Sequence, residues 1–172
     1  MRNRVLACGL ALSAAAAVAA CGSSSSSTAA GSPSGTAPAS ASPAAATTIS
    51  AKSVPGVGTV LVNGQGRTLY MLTSEKGGKI TCTQANGCTQ AWPETLLASG
   101  ATVAAAGPGV QPALLGTVKD ATGELEVTYN HWPLYTFAGD SGPGAATGQG
   151  LVSFGGTWYV LNSSGDPVTS SP

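Results

Sequence analysis

Between residues 57 and 161 the chain runs in short apolar blocks, each closed by glycine, asparagine, aspartate or proline. Val57-Gly58-Thr59-Val60-Leu61-Val62 reads as a strand, and Asn63-Gly64-Gln65-Gly66 as the turn of a hairpin whose second strand is Thr68–Thr73. Glu75-Lys76-Gly77-Gly78-Lys79 is a further turn. Pro93 and Glu94 suit the first positions of a single helical turn over Trp92–Leu97. Thr102–Ala106 and Leu114–Val118 are strand candidates, and Asp120-Ala121-Thr122-Gly123 is a turn. Leu125-Glu126-Val127-Thr128-Tyr129 alternates with its apolar or aromatic members on one face. Asn130-His131-Trp132 then turns the chain into Pro133–Phe137. After a glycine-rich connection from Gly139 to Gly150, Leu151–Phe154 and Thr157–Leu161 form a last hairpin. No segment sustains a 3.6-residue period over three turns, so the pattern predicts a mainly β domain, a small antiparallel sandwich or open barrel. Parallel pairing would call for crossover helices that the pattern does not contain.

The blocks repeat. Leu69-Tyr70-Met71-Leu72-Thr73-Ser74-Glu75 returns as Leu134-Tyr135-Thr136-Phe137-Ala138-Gly139-Asp140. Each copy follows a strand pattern ending in asparagine (Asn63, Asn130) and precedes a tryptophan (Trp92, Trp158). Two related halves are the simplest reading, with repeat cores at about residues 57–98 and 122–161. A two-stranded unit cannot bury its own apolar face, so the halves should interlock as one domain.

The N-terminal third follows another rule. Met1-Arg2-Asn3-Arg4 is basic, and Val5–Ala20 is uncharged and rich in Ala and Leu but too short to span a bilayer convincingly. The run ends in Val18-Ala19-Ala20-Cys21, which resembles the lipobox at which bacterial prolipoproteins are diacylated on the cysteine sulfur and cut before it. Residues 1–20 are thus expected to be a lipoprotein signal peptide and Cys21 a lipidated N-terminus. An ordinary secretory signal cut after Ala-x-Ala is the competing reading. Residues 21–51, with Ser, Ala, Thr and Pro but no charged or aromatic side chain, should form a disordered tether on the order of 30 Å in coil dimension. Residues 52–162 are then the folded domain and 163–172 a polar tail. Removing residues 1–20 leaves five basic and seven acidic residues, a formal charge of about −2. With no Lys/Arg stripe, nothing marks a nucleic-acid partner. The membrane, reached through lipidated Cys21, and cell-wall or envelope components are the expected partners, on the outer face of the cytoplasmic membrane of a bacterium. No cofactor is implied.

Tyr135-Thr136-Phe137-Ala138-Gly139-Asp140, Gly148-Gln149-Gly150 and Gly156-Thr157-Trp158-Tyr159-Val160 resemble the bacterial lipoproteins described by a Tyr-x-(Phe/Trp/Tyr)-x-x-Asp motif, also called the secreted repeat of unknown function. The likeness extends over about Val57–Leu161. The second copy carries the motif whole in Tyr135, Phe137 and Asp140, whereas the first has Leu72 at the aromatic place and Glu75 at the acidic one. The resemblance implies an envelope or secreted location and no established activity.

Cys82 and Cys88 flank a turn-like loop and, outside the cytoplasm, should form a disulfide, worth roughly 2–2.5 kcal/mol by chain entropy. A redox pair would more usually be Cys-x-x-Cys opening a helix, and two thiolates without a histidine nearby make a poor metal site. His131 is the only histidine and lacks a nucleophile in an activating context; no catalytic residue is assigned and no metal site. Glu75 and Asp140 admit two readings. They could share a cleft for acid–base chemistry or a hard cation, or each could accept N–H bonds from its own turn. Tyr70 and Tyr135 should be core residues with hydroxyls bonded to backbone. Trp132 and His131, in a turn, form a candidate binding surface. The favoured function is a non-enzymatic binding or structural module of the envelope; the competing one is an envelope hydrolase or redox or metal accessory protein using Glu75 and Asp140.

Overall fold

The computed structural model describes residues 46–170. The signal peptide, Cys21 and most of the tether lie outside the described residues. The domain consists of nine short strands: β1 (Thr48–Val54), β2 (Gly58–Asn63), β3 (Tyr70–Leu72), β4 (Ala105–Ala106), β5 (Leu115–Lys119), β6 (Leu125–Tyr129), β7 (Trp132–Pro133), β8 (Val152–Ser153) and β9 (Gly156–Val160). Among the described residues the α-helical content is one turn, α1 (Cys88–Ala91). The strands form three small sheets, ordered β2-β1-β4, β3-β9-β8 and β5-β6-β7.

Turn chemistry cuts the chain into these pieces. Asn63 Oδ1 accepts the N–H groups of Gln65 and Arg67, and Gly66 closes the turn at φ 77°. Asp120 does the same for Thr122 and Glu124, with Gly123 at φ 93°, and Asn162 for Ser164 and Asp166, with Gly165 at φ 81°. The side-chain oxygen holds two backbone donors while glycine takes the left-handed conformation that other residues avoid.

The central strands are covered on both faces, which explains their unbroken apolar runs. Val60-Leu61-Val62 and Leu69-Tyr70-Met71-Leu72 are all essentially buried. Leu61, Leu69, Met71, Val127, Leu134 and Leu161 point into one layer, closed by Ile49, Tyr129 and Trp132. Val60, Tyr70, Leu72, Tyr135, Trp158 and Val160 point into the other, closed by Trp92 and the Cys82–Cys88 disulfide.

Several segments differ from the sequence reading. The first strand begins at Thr48, inside the segment expected to be tether, because Ile49 is fully buried against Leu61 and its neighbours. The polar tail also packs: the Val168 N–H donates to the Val160 carbonyl, and Leu161 bridges Pro167. Pro93–Leu97 is not a helical turn. Helix α1 precedes it, and Glu94 and Leu96 instead bridge Tyr135 and Glu126 in an extended segment. One parallel pair occurs, β1 with β4, made without a crossover helix because the joining chain wanders through the rest of the domain.

Candidate functional site

The duplication holds at the level of single bonds. Leu69 N–H donates to Leu61 O as Leu134 N–H does to Val127 O. Leu61 N–H donates to Leu161 O as Val127 N–H does to Thr95 O. Tyr70 bridges Val160 where Tyr135 bridges Glu94, and Val60 bridges Asn162 where Glu126 bridges Leu96. These pairings make Val60 the twin of Glu126 and Val160 the twin of Glu94. They also show that the halves are exchanged: the strand after Trp92 completes the second hairpin, and the strand after Trp158 completes the first.

The axis relating the halves passes between the two motif tyrosines. Tyr70 and Tyr135 exchange reciprocal backbone hydrogen bonds of 2.8 and 3.0 Å. Trp92 and Trp158 stack on each other at 3.8 Å between ring centroids, with planes 4° apart. Tyr70 meets Trp92 edge-on at 5.3 Å, and Tyr135 meets Trp158 in the same way at 5.3 Å. Phe137, the motif aromatic, stacks on Trp92 at 4.3 Å. Offset stacks and edge contacts each contribute about 0.5–1.5 kcal/mol beyond burial, so the motif rings form the centre of the fold.

The motif carboxylates close loops beside these rings. Asp140 Oδ1 accepts the N–H and the hydroxyl of Thr147, both at 2.8 Å, and Oδ2 accepts the Tyr70 hydroxyl at 2.9 Å. The Tyr70 oxygen in turn accepts the Gly148 N–H at 3.3 Å. Burial and the adjacent Asp140 carboxylate push the Tyr70 phenol well above its ordinary range. Glu75 Oε1 repeats the pattern with the N–H and hydroxyl of Thr81 and the N–H of Cys82. Glu75 and Asp140 have no bonding partner in common. Thr81 and Thr147 were not singled out in the sequence, although each follows its carboxylate at nearly the same interval.

Other expected residues are placed as follows. Cys82 and Cys88 are joined in a disulfide. His131 is exposed at the tip of the β6–β7 hairpin, where it and Asn130 take φ of 65° and 48°. Trp132, expected on the surface with His131, is only 7% exposed. The hairpin turns so tightly that its ring falls back onto the core, and Lys76 Nζ lies 5.9 Å from the ring centroid. Neither tyrosine hydroxyl donates to backbone: Tyr70 donates to Asp140, and Tyr135 makes no well-formed hydrogen bond although the Glu75 and Glu126 carboxyls lie beside it.

The twin halves part around Tyr135. Where the first half has Val60 and Val160 beside Tyr70, the second has Glu126 and Glu94 beside Tyr135. Glu126 is fully buried, and neither of its carboxyl oxygens has a hydrogen-bond partner. Glu75 Oε2 and the Tyr135 hydroxyl are likewise buried without partners. Burial, followed by the charges of Glu94, Glu75 and Asp120, pushes the Glu126 carboxyl up to about 10. Burial and the nearby Glu126 and Glu75 carboxylates push the Tyr135 phenol far upward. Glu94 is half-buried and raised by burial, then by Asp120, Glu124 and Glu75. It opens onto a groove of about 690 Å³, whose walls include Asp120, Glu124, Thr83, Gln84 and Thr122 and no Lys or Arg. Burial works upward on Asp120, but the Thr122 hydroxyl and the backbone N–H groups of Glu124, Thr122 and Gly123 outweigh it and hold Asp120 below its ordinary range. The arrangement is therefore an acidic groove above a pair of buried carboxyls and a phenol. Sequence alternation placed Glu126 on the solvent side of its strand; aligning it with Val60 would have marked it.

Residues 116–162 match a family model described as a secreted repeat of unknown function, a match that covers part of the chain. No curated protein and no solved structure matches the chain. Among the described residues, no helix is long and apolar enough to cross a membrane, and no three His, Cys, Asp or Glu side chains are grouped to hold a metal ion.

Proposed function

We propose that this chain is a non-enzymatic binding module of the bacterial envelope, held through lipidated Cys21 to the outer face of the cytoplasmic membrane and displayed on its tether. The match of residues 116–162 to a secreted repeat supports the location. The commitment of the motif side chains supports the absence of catalysis. Asp140 spends both oxygens on Thr147 and Tyr70, Glu75 Oε1 is held by Thr81 and Cys82, and the cysteines are closed on each other. The hydrolase reading needs Glu75 and Asp140 in one cleft, and their separate partner sets do not support it.

The observation that carries the binding reading is the acidic groove. At about 690 Å³ it falls within the usual size of ligand pockets. Its carboxylates select for a ligand bearing a positive charge, such as an amine-bearing component of the cell wall. The Cys21→Ser chain should leave the membrane fraction without unfolding, because stable anchoring depends on the acyl chains. Intact mass spectrometry of the wild type should show a mature chain starting at a diacylglyceryl Cys21; an unmodified start elsewhere ends the anchor reading. Purified Cys21→Ser protein should co-sediment with cell-wall sacculi, less so at high salt and less so with Glu94→Gln and Glu124→Gln together. Sacculi that bring down nothing would end the wall-binding reading.

A further inference from the structure

Where one half has a valine pair the other has a glutamate pair, and the glutamate side leaves oxygen atoms without partners in the core. Glu126 is 0% exposed with Oε1 and Oε2 both unbonded. Glu75 Oε2 and the Tyr135 hydroxyl, also on residues 0% exposed, are unbonded too. All three groups converge: the Tyr135 hydroxyl stands next to both the Glu126 and the Glu75 carboxylates. Buried polar atoms in a folded protein almost always have a partner, and an orphan commonly marks a missing water or ion. Here four buried oxygens lie within reach of one another, and none makes a well-formed hydrogen bond.

We propose that the unpartnered oxygens of Glu75, Glu126 and Tyr135 form a binding site for a hard divalent cation of the calcium class, entered past Glu94 from the acidic groove. The donors are all oxygen, as such ions prefer. Every charged group acting on Glu126 is another carboxylate, from Glu94, Glu75 and Asp120, so no side-chain cation offsets the cluster. Glu75 is already aimed: Thr81 and Cys82 hold Oε1 and leave Oε2 turned toward Tyr135. In the proposed site two carboxylates and a phenol supply the protein ligands, and water fills the remaining positions. The twin position shows what the fold does without the site. There Val60 and Val160 pack against Tyr70, and Asp140 takes the tyrosine hydroxyl. The inference is independent of the anchor and of wall binding, both of which would survive its failure.

The test is thermal unfolding of the Cys21→Ser chain in chelator and in calcium, with potassium chloride at equal ionic strength as control. Calcium about 100-fold above its Kd should raise Tm by roughly 10 °C, and potassium should not. Glu126→Val, which copies the twin residue and keeps the strand apolar, should fold and lose the calcium increment. Glu126→Gln should lose it as well, and Tyr135→Phe should reduce it. No calcium increment in the wild type would overturn the proposal and leave a protonated Glu126 or an internal water as the occupant. An increment that persists in Glu126→Val would also overturn it, placing calcium in the open groove.

Discussion

Tyr70 and Tyr135 are bonded to each other through their backbones, and their hydroxyls meet opposite surroundings. Tyr70 lies among valines and donates a hydrogen bond to Asp140, which Thr147 holds in turn. Tyr135 lies among carboxyls, and its hydroxyl makes no well-formed hydrogen bond with them. The backbone scaffold is the same on both sides, so the difference comes from four side chains, Val60 and Val160 against Glu126 and Glu94. A duplicated fold needs only one copy of each packing solution to be sound; the second is free to carry a group that the core alone would reject.

The rings shared by both halves set the largest expected effect. Trp92→Ala and Trp158→Ala should each cost about 3–5 kcal/mol in urea unfolding. The double variant should cost less than the sum, because each removal destroys the same stack. Strict additivity would mean that the two tryptophans serve separate cores.

Reciprocal exchange at the twin positions comes next. Between its ordinary value of 4.5 and its folded value of about 10, Glu126 holds a proton in the folded chain that the unfolded chain releases. Stability of cation-free protein should therefore fall as pH rises through that window, by on the order of 3 kcal/mol by pH 7. Glu94, Glu75 and Asp120, which raise it, and Tyr135 face the same group. Glu126→Val should recover roughly that amount at pH 7 and flatten the pH dependence, while Val60→Glu should destabilise. An unchanged pH profile in Glu126→Val would show that the carboxyl is not responsible.

The disulfide exists in the first half alone. Replacing Cys82 and Cys88 by serine should cost about 2 kcal/mol, with no counterpart to lose around Thr147 and Gly148. The smallest and sharpest contrast is between the tyrosines. Tyr70→Phe strands a buried Asp140 oxygen and should cost about 1–3 kcal/mol, whereas Tyr135→Phe in cation-free buffer should be nearly neutral. Equal costs would mean that Tyr135 has a partner after all.

Much of this was legible in the residues. The β class, the hairpin turns at Asn63 and Asp120, the duplication and the disulfide follow from alternation, Asx-Gly turn chemistry and spacing. What escaped depends on tertiary placement. Nothing in Pro93–Leu97 says that it will wedge into the other repeat's hairpin, so a proline and a glutamate read as a helix start. Glu126 alternates correctly for a half-exposed strand, and only coverage of both faces buries it. Trp132 sits in a turn by sequence and in the core by geometry, because a two-residue turn sends its ring backward. Ile49 is one apolar residue in a polar run, too little signal to begin a strand without its partner at Asn63.

The exchange of third strands carries a consequence for how the molecule is made. The hairpin containing Tyr70 is closed by residues around Val160, ninety positions later. A chain emerging from a ribosome or threading through a pore N-terminus first therefore cannot finish the first half until residues around Val160 have arrived, whereas the second, closed by the earlier segment around Leu96, has its strands by Tyr135. Contacts this distant in sequence slow folding, and here they postpone it. The first half stays open through most of the transit and closes last, when the strand after Trp158 arrives.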